Sequence, residues 1–510
     1  MSQRSNKPGF VVAGLLLGIL MAAMDNTIVA TAMGTIIAEL GGLDKFVWVT
    51  SAYMIAAMAA TPVFGKLSDM YGRKRFFVFG SLVFLVGSAL CGMADSIIEL
   101  SIYRAVQGIG GGALMPIAFT IVFDIFPPEK RGKMTGLLGA VFGVSSIFGP
   151  LLGAYITEAI SWRWVFYINL LPGVISVLLV VLFYRDSLEK SKQKIDWLGV
   201  ATLVFAVTSL MIVLETGGTT YAWDSPVILG LLAAFVLLTV AFVYAEKRAA
   251  EPVISFAMFR QRLFATSNLA AFFIGATYIV ATLYIPLFVQ GVLGGTVTNS
   301  GMILLPMMLG SVVASQIGGM LANRFSYRTI MLVSGIVFVA GILLLSTLSG
   351  ETSREVVTLY MIIVGLGTGA HFSVLGMAAI HHFDIRQRGT ANSTLAFLRS
   401  LGMALGITVF GIIQRNLFES GLKNAFPSGG GAGHGAFGDP RALLSPEARI
   451  RIPEHVLNQI TDVLSTSIAK TFMWALIPAV LSCVVIFLMS RERLDSLESS
   501  APVKPAPSGE

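Results

Sequence analysis

The sequence predicts an all-α polytopic membrane protein whose roughly fourteen spans fall into blocks of six, two and six. Three observations carry that prediction. Hydrophobic residues make up 55% of the 510 and charged residues only 12%, with a mean hydropathy of +0.80. A water-soluble domain needs about 25% charge to cover its surface. The charges lie between apolar runs long enough to cross a hydrocarbon core of ~30 Å, which takes about 20 helical residues. Finally, the glycine pattern Gly108-Ile109-Gly110-Gly111-Gly112-Ala113 recurs as Gly365-Leu366-Gly367-Thr368-Gly369-Ala370.

In chain order the runs occupy residues 10–37, 47–64, 76–94, 97–123, 134–158, 164–184 and 197–217. They continue at 226–244, 264–291, 300–322, 329–349, 356–381, 392–414 and 469–490. Each is expected to be helical, because hydrocarbon satisfies no backbone polar group. Placing the N-terminus inside puts roughly two thirds of the 35 Lys and Arg on the inner side, as the positive-inside rule requires. Both termini are therefore expected in the cytoplasm. The net charge of +7 follows from the same rule and calls for no nucleic acid. The first run is too long, and too directly followed by others, for a cleaved signal peptide. Cys91 and Cys483 sit in apolar runs, so neither a disulfide framework nor a zinc site is indicated. With no GxxxxGK[ST] loop, nucleotide is not expected to drive the protein. No cofactor, no metal and no enzymatic nucleophile–base cluster is expected.

The repeat divides the chain. Arg131-Gly132 recurs as Arg388-Gly389 at the same offset as the glycine pattern. Parallel six-helix halves with a site between them describe one large transporter architecture. The offset exceeds six spans with short loops, so the spans at 197–217 and 226–244 read as an insertion. The expected organisation is a six-helix bundle at 1–184, two inserted helices with flanking loops at 185–262, and a second bundle at 263–490. That second bundle carries a long outer loop at 416–466, and a cytoplasmic tail fills 491–510. Within the loop, Pro427-Ser428-Gly429-Gly430-Gly431-Ala432-Gly433 reads as flexible linker. Residues 453–468 have helical periodicity suited to lying along the membrane face.

The loop Gly65-Lys66-Leu67-Ser68-Asp69-Met70-Tyr71-Gly72-Arg73-Lys74-Arg75 resembles the loop-2/3 motif of the major facilitator superfamily. Met24-Asp25-Asn26-Thr27-Ile28-Val29, Trp162-Arg163-Trp164-Val165-Phe166-Tyr167-Ile168-Asn169 and Asp196-Trp197-Leu198-Gly199 resemble motifs of its fourteen-helix drug:proton antiporter branch, the EmrB/QacA type. The resemblance implies proton-driven export of amphipathic, often cationic, drugs. It departs at Ala30 and Gly34, where the span-one motif usually has Asn and Pro, and at Asn323, which replaces an Asp in the second-half copy of the loop motif. Export of a specific metabolite, peptide or lipid on the same fold, or a non-transporting membrane sensor, stays open as an alternative.

Several residues are candidates for mechanism. Asp25 lies deep in the first span, where a carboxylate is costly unless it is paired or faces water. A group there that titrates as its surroundings change suits proton coupling. Arg104, always charged, is its expected partner; snorkelling to the outer headgroups is the alternative. Asp69 and Arg73, with Gly65 and Gly72 permitting tight turns, are expected to latch one arrangement of the halves, against the plainer role of a positive-inside anchor. Gly143, Gly149, Pro150 and Gly153 resemble the superfamily's antiporter motif and mark a hinge or simply close packing. His371 and Arg399 are candidate relay or cavity groups. Tyr53, Met58, Phe142, Tyr278, Tyr284, Phe288, Met307 and Phe397 are candidate cavity walls, since aromatic and methionine side chains suit amphipathic cations. The expected partners are such substrates, protons and the lipid bilayer.

Overall fold

Apolar runs become helices in the computed structural model, which describes residues 7–41, 45–186, 195–218, 220–295, 297–426 and 453–494. The first block is α1 (Pro8–Leu40), α2 (Val47–Tyr71), α3 (Arg73–Gly92), α4 (Ile97–Ile125), α5 (Pro128–Ala159), α6 (Trp164–Tyr167) and α7 (Leu170–Phe183). The inserted pair is α8 (Trp197–Thr216) and α9 (Pro226–Arg248). The last block is α10 (Arg262–Gly291), α11 (Val297–Leu321), α12 (Tyr327–Leu345), α13 (Arg354–Ile380), α14 (Arg388–Ala425) and α15 (Glu454–Phe487). No β-strand occurs among the described residues.

Local chemistry sets the helix starts. Ser96 caps α4 by accepting from the Glu99 amide at 3.2 Å, and Glu99 reaches back to the Asp95 amide. Asp196 and Ser225 cap α8 and α9 in the same way. Between α2 and α3 the chain turns on Gly72, whose φ of +107° is a conformation that side-chain-bearing residues rarely adopt.

Thirteen segments among the described residues are long and apolar enough to cross a membrane. The 32-residue α5, charged near both ends, lies outside that set yet packs between α1 and α11. The run at 164–184 is interrupted at Ile168 and Asn169, separating α6 from α7. The stretch expected as a loop at 416–466 is helical at both of its ends. The helix α14 continues to Ala425, and α15 begins at Glu454. Residues 454–468 are thus the first turns of the last span, with Ile460, Leu464 and Ile468 buried in the core, not a surface helix along the membrane. The glycine-rich stretch from Pro427 lies outside the described residues.

The two halves repeat at the level of single contacts. In α4, Gly108 and Gly112 press on the backbone of α2 at Tyr53 and Ala57, and Gly110 presses on Phe84 of α3. In α13, Gly365 and Gly369 press on α11 at Met307 and Ser311, and Gly367 presses on Phe338 of α12. Gly87 of α3 meets the Gln107 backbone, and Gly341 of α12 meets that of Val364. A Cβ at any of these positions would drive backbones apart, which explains why glycine recurs at both. Between the halves, α2 packs on α14 and α5 on α11. The inserted α8 lies along the α2–α14 seam, and α9 packs on α8 with most of its surface facing outward.

Candidate functional site

The N-terminal half encloses a polar cluster that α1, α3, α4 and the α6–α7 break supply. Asp25, Arg104, Gln107, Asn169 and Ser88 are each fully buried. Arg104 Nη1 forms an ion pair with Asp25 Oδ2 and also donates to Gln107 Oε1 at 2.8 Å. Gln107 Nε2 and Asn169 Nδ2 both donate to Asp25 Oδ1, at 2.8 and 3.0 Å. Arg104 Nε donates to the Val49 carbonyl, and its guanidinium lies 4.3 Å from the Tyr53 ring centre. Arg104 therefore does not snorkel. Every contact to the carboxylate is a donor, and removing one partner would leave an uncompensated buried charge. Gln107 and Asn169 complete the cluster around the Asp25–Arg104 pair that the sequence predicts. Asn169 sits within a quoted motif, and the helix break that aims its side chain inward was the missing signal.

The glycines Gly149 and Gly153 of α5 pack on α1 close to this cluster. Thr27, two residues beyond Asp25, donates to the Ser145 carbonyl of α5 at 3.1 Å. Gly149 and Gly153 pack on α1 so closely that a Cβ would collide with Thr27 at one and Thr31 at the other. Pro150 is accommodated with α5 continuous through it. The side chain of Phe142 and the surroundings of Gly143 lie outside the described residues.

At the end bearing the α2–α3 and α13–α14 connections, the halves are joined through Asp69. Its Oδ1 accepts from the Gly389 amide at 2.9 Å. Its Oδ2 accepts from the Thr390 amide at 2.7 Å and hydroxyl at 3.0 Å. Asp69 thereby caps the N-terminus of α14, where free amides and the helix dipole favour a carboxylate. Arg73 lies 3.4 Å from Asp69, donates to the Ile385 carbonyl, and forms an ion pair with Asp124. Arg388 reaches Asp124 as well. Asp124 was not legible beforehand, because an acid at a loop edge is ordinary. Gly65 meets Ser393 and the Gly389 carbonyl across the same seam. Asn323, the counterpart of Asp69 in the other half, has no side-chain hydrogen bond among the described residues.

Two cavities lie between the halves. One, of about 230 Å³, is walled by Met115 and Phe119 of α4 together with α10, α11, α13 and α14 side chains, among them Tyr278, His371, Phe372 and Arg399. The other, of about 760 Å³, lies toward the opposite end from Asp69, between α2, α8, α10 and α14, and includes Tyr284, Glu215 and Arg415. Of the expected walls, Tyr278 and Tyr284 are placed there. Phe288 and Met307 instead belong to the core of the second half. Met58 and Phe397 join Leu203, Val207 and Met211 in the seam that holds α8, and Tyr53 lies beneath Arg104. Asp25 lines neither cavity. His371 is buried, with Nδ1 3.4 Å from the Ser334 hydroxyl and Nε2 without a partner.

At the Asp69 end of the second half, His381, His382 and Glu492 converge, their ligand atoms all within 4.8 Å of one another. No metal cluster was expected from the sequence, because Glu492 is distant in the chain. Burial pushes the His381 imidazole down to about 4, against the opposing pull of the Glu492 carboxylate.

Two helical blocks with matched glycine seams, polar contacts joining them at one end and cavities between them define a multi-pass membrane transporter. The chain belongs to the Major Facilitator Superfamily, whose family model matches residues 15–407. It is 55% identical to "Multidrug resistance protein 3" of Bacillus subtilis (strain 168) over 95% of this chain and 96% of that one. It is 35% identical to "Multidrug transporter protein MdtP" of the same organism, covering 91% and 89%. Among solved structures, the proton:xylose symporter XylE bound to 6-bromo-6-deoxy-D-glucose aligns with a TM-score of 0.60 over 96% of this chain and 98% of that chain. At 13% identity, that likeness speaks to the fold alone.

Proposed function

We propose that the chain is a proton-coupled antiporter of the fourteen-helix drug:proton branch, exporting amphipathic compounds across a bacterial cytoplasmic membrane by alternating access. The single observation that carries this is the buried Asp25–Arg104 pair, held beside the glycine seam that joins α1 to α5. A buried acid paired in this way is a two-state element. Protonating Asp25 removes the counter-charge of Arg104, which must then find another acceptor. The α1–α4 contact changes, and α5, packed on α1 through Gly149 and Gly153, carries that change to α11 of the other half.

With α5 counted as a span, the helices number fourteen and both termini share one side. The positive-inside balance assigns that side, and with it the Asp69 latch, to the cytoplasm. The arrangement is then outward-facing. The recorded polar contacts between the two six-helix bundles lie at or near the latch end, and the larger cavity lies toward the other. An external proton neutralises Asp25, the halves rock, the latch parts, and the cavity faces inward to release the proton and load cargo. Asp25 acts through Arg104 and not by touching the cargo, so a preference for cations has no support from that residue. The printed names of the two Bacillus relatives support drugs as the cargo.

Inside-out vesicles with an acid interior test the reading. Wild type should accumulate a fluorescent lipophilic drug, and an ionophore that collapses the gradient should abolish uptake. Asp25→Asn should insert normally and accumulate none. Uptake by Asp25→Asn at the wild-type rate would overturn the assignment of proton coupling to Asp25. For topology, a fluorescent protein fused after Glu510 should fluoresce, and an alkaline phosphatase fused there should stay inactive.

A further inference from the structure

The smaller cavity contains an ionic imbalance that the proton-coupling cluster does not use. Arg399 lies three turns into α14, about 16 Å along a helix rising 1.5 Å per residue, and its side chain forms part of the cavity wall. No Asp or Glu lines that cavity; its other titratable side chains are His371 and Tyr278. Among the described residues Arg399 has no ion pair, and its recorded side-chain partner is the Phe372 ring, 5.0 Å from the guanidinium carbon. Arg104 and Arg73, the fully buried arginines among the described residues, each have a carboxylate. A guanidinium keeps its charge under all ordinary conditions. An apolar wall with one uncompensated cation repels a cationic guest and lacks an anion.

The surroundings also orient the group. Gly275 of α10 leaves room for the Arg399 stem, since a Cβ there would stand 3.3 Å from Arg399 Cγ. Phe372, packed edge-on against Tyr278 with ring centres 5.8 Å apart, holds the guanidinium from one side. The fork of donors is planar, which suits bidentate capture of a carboxylate. Met115 and Phe119 close the cavity from the other half, so rocking changes the walls around whatever Arg399 holds.

We propose that Arg399 is the anion-binding anchor of the substrate cavity and that its preferred guests are aromatic compounds bearing a carboxylate. This deepens the transport reading and rests on it, by naming a substrate class. The carboxylate pairs with Arg399 while the ring lies among Phe119, Tyr278, Met308 and Phe372. A zwitterion enters by its acid end.

Binding of three isosteric probes to the full-length protein in lipid nanodiscs decides the matter: 2-naphthoate, methyl 2-naphthoate and 2-naphthylmethylammonium. In wild type the acid should bind about tenfold or more tighter than its ester, the range expected for a charge-assisted hydrogen bond, and the ammonium should bind weakest. Arg399→Gln should erase the preference for acid over ester while leaving ester binding unchanged. Arg399→Lys, which keeps the charge and loses the fork, should retain most of the preference. Equal binding of acid and ester by wild type, or undiminished acid selectivity in Arg399→Gln, would overturn the proposal. Should Arg399→Gln fail to fold, the wild-type comparison alone decides. The three measurements are made in phosphatidylcholine and again with phosphatidylglycerol added. Loss of acid selectivity in the anionic lipid would assign Arg399 to a headgroup phosphate and overturn the substrate reading. These experiments need neither a proton gradient nor Asp25. Acid selectivity in a protein that moves nothing under a gradient would count against the transport reading alone, whereas gradient-driven export without acid selectivity would count against this inference alone.

Discussion

Arg104 Nη1 serves Asp25 and Gln107 together, so a change at Arg104 disturbs more than one bond. Arg104→Gln leaves the Asp25 carboxylate buried without its counter-charge, a loss that costs about 3–5 kcal/mol in other buried pairs. The purified variant should therefore melt well below wild type. Adding Asp25→Asn removes the orphaned charge, so the double variant should melt higher than Arg104→Gln alone. A double variant no more stable than the single would mean that the pair does not govern stability here. Asp25 and Arg104 were readable in the sequence because charge inside an apolar run is expensive and demands a partner. Gln107 and Asn169 raised no such alarm, being neutral, and Asn169 acquires its direction only from the break between α6 and α7. The same reasoning exposes Arg399 as the exception, a charge in an apolar run with no ion pair among the described residues, whose partner is therefore sought in the cargo.

Helix seams behave differently, since what matters there is the space a side chain would take. At Gly149 an added methyl meets Thr27, and at Gly153 it meets Thr31 and the Ile28 carbonyl. Overpacking of this kind typically costs about 1–3 kcal/mol. Gly34, on the same helix α1, has nothing within 4 Å of such a methyl. Gly149→Ala and Gly153→Ala should lower the melting temperature while Gly34→Ala does not. Transport by the first two should fall further than stability if the seam moves during the cycle. These glycines could be singled out from their motif, but the cavity walls could not. Helices that are apolar all round show no polar face to reveal which side meets lipid, core or cavity. Met58, Phe288, Met307 and Phe397 accordingly turned out to pack in seams and core. The final element shows another limit. The charged start of α15 concealed a continuous 34-residue helix, and the segment after it folds back on the bundle. The Tyr327 amide donates to the Glu492 carbonyl at 2.8 Å, and the Leu494 amide donates to that of Ala322 at 3.2 Å. His381 is held well below its ordinary value by burial, with Tyr327, His382 and Glu492 facing it. A histidine whose folded value is depressed to about 4 stabilises docking above its unfolded value near 6.5, and that contribution is lost as pH falls between the two. The protection of the residue 488–494 amides, measured relative to intrinsic exchange at each pH, should fall between pH 7.5 and 5, and His381→Gln should flatten that dependence. An identical pH dependence in His381→Gln would place the titrating group elsewhere.

Across the whole molecule, the halves are related by a repeat that the glycine pattern foretold, yet their ends are not equivalent. Asp69 caps α14 across the seam, whereas Asn323 occupies the matching position in the second half without a side-chain partner among the described residues. Closure at this end thus leans on one carboxylate together with the cross-half contacts of Arg73 with the Ile385 carbonyl and of Arg388 with Asp124. Asp69→Asn keeps an acceptor but removes the charge, weakening contacts that are worth about 1.5–3 kcal/mol when charge-assisted. A loss of that size shifts a two-state population by about tenfold or more. Lys130 near the start of α5 and Arg324 just beyond α11 are exposed on opposite halves, where spin labels can report their separation. With Asp69 intact the short distance should dominate. Asp69→Asn should raise a longer-distance population, while Lys66→Gln, which breaks a 2.5 Å ion pair with Glu251 that does not bridge the two bundles, should leave the distribution unchanged. If Asp69→Asn also leaves it unchanged, the carboxylate anchors the loop without holding the halves together, and the energy that closes this end must come from the apolar contacts of α2 with α14 and of α5 with α11.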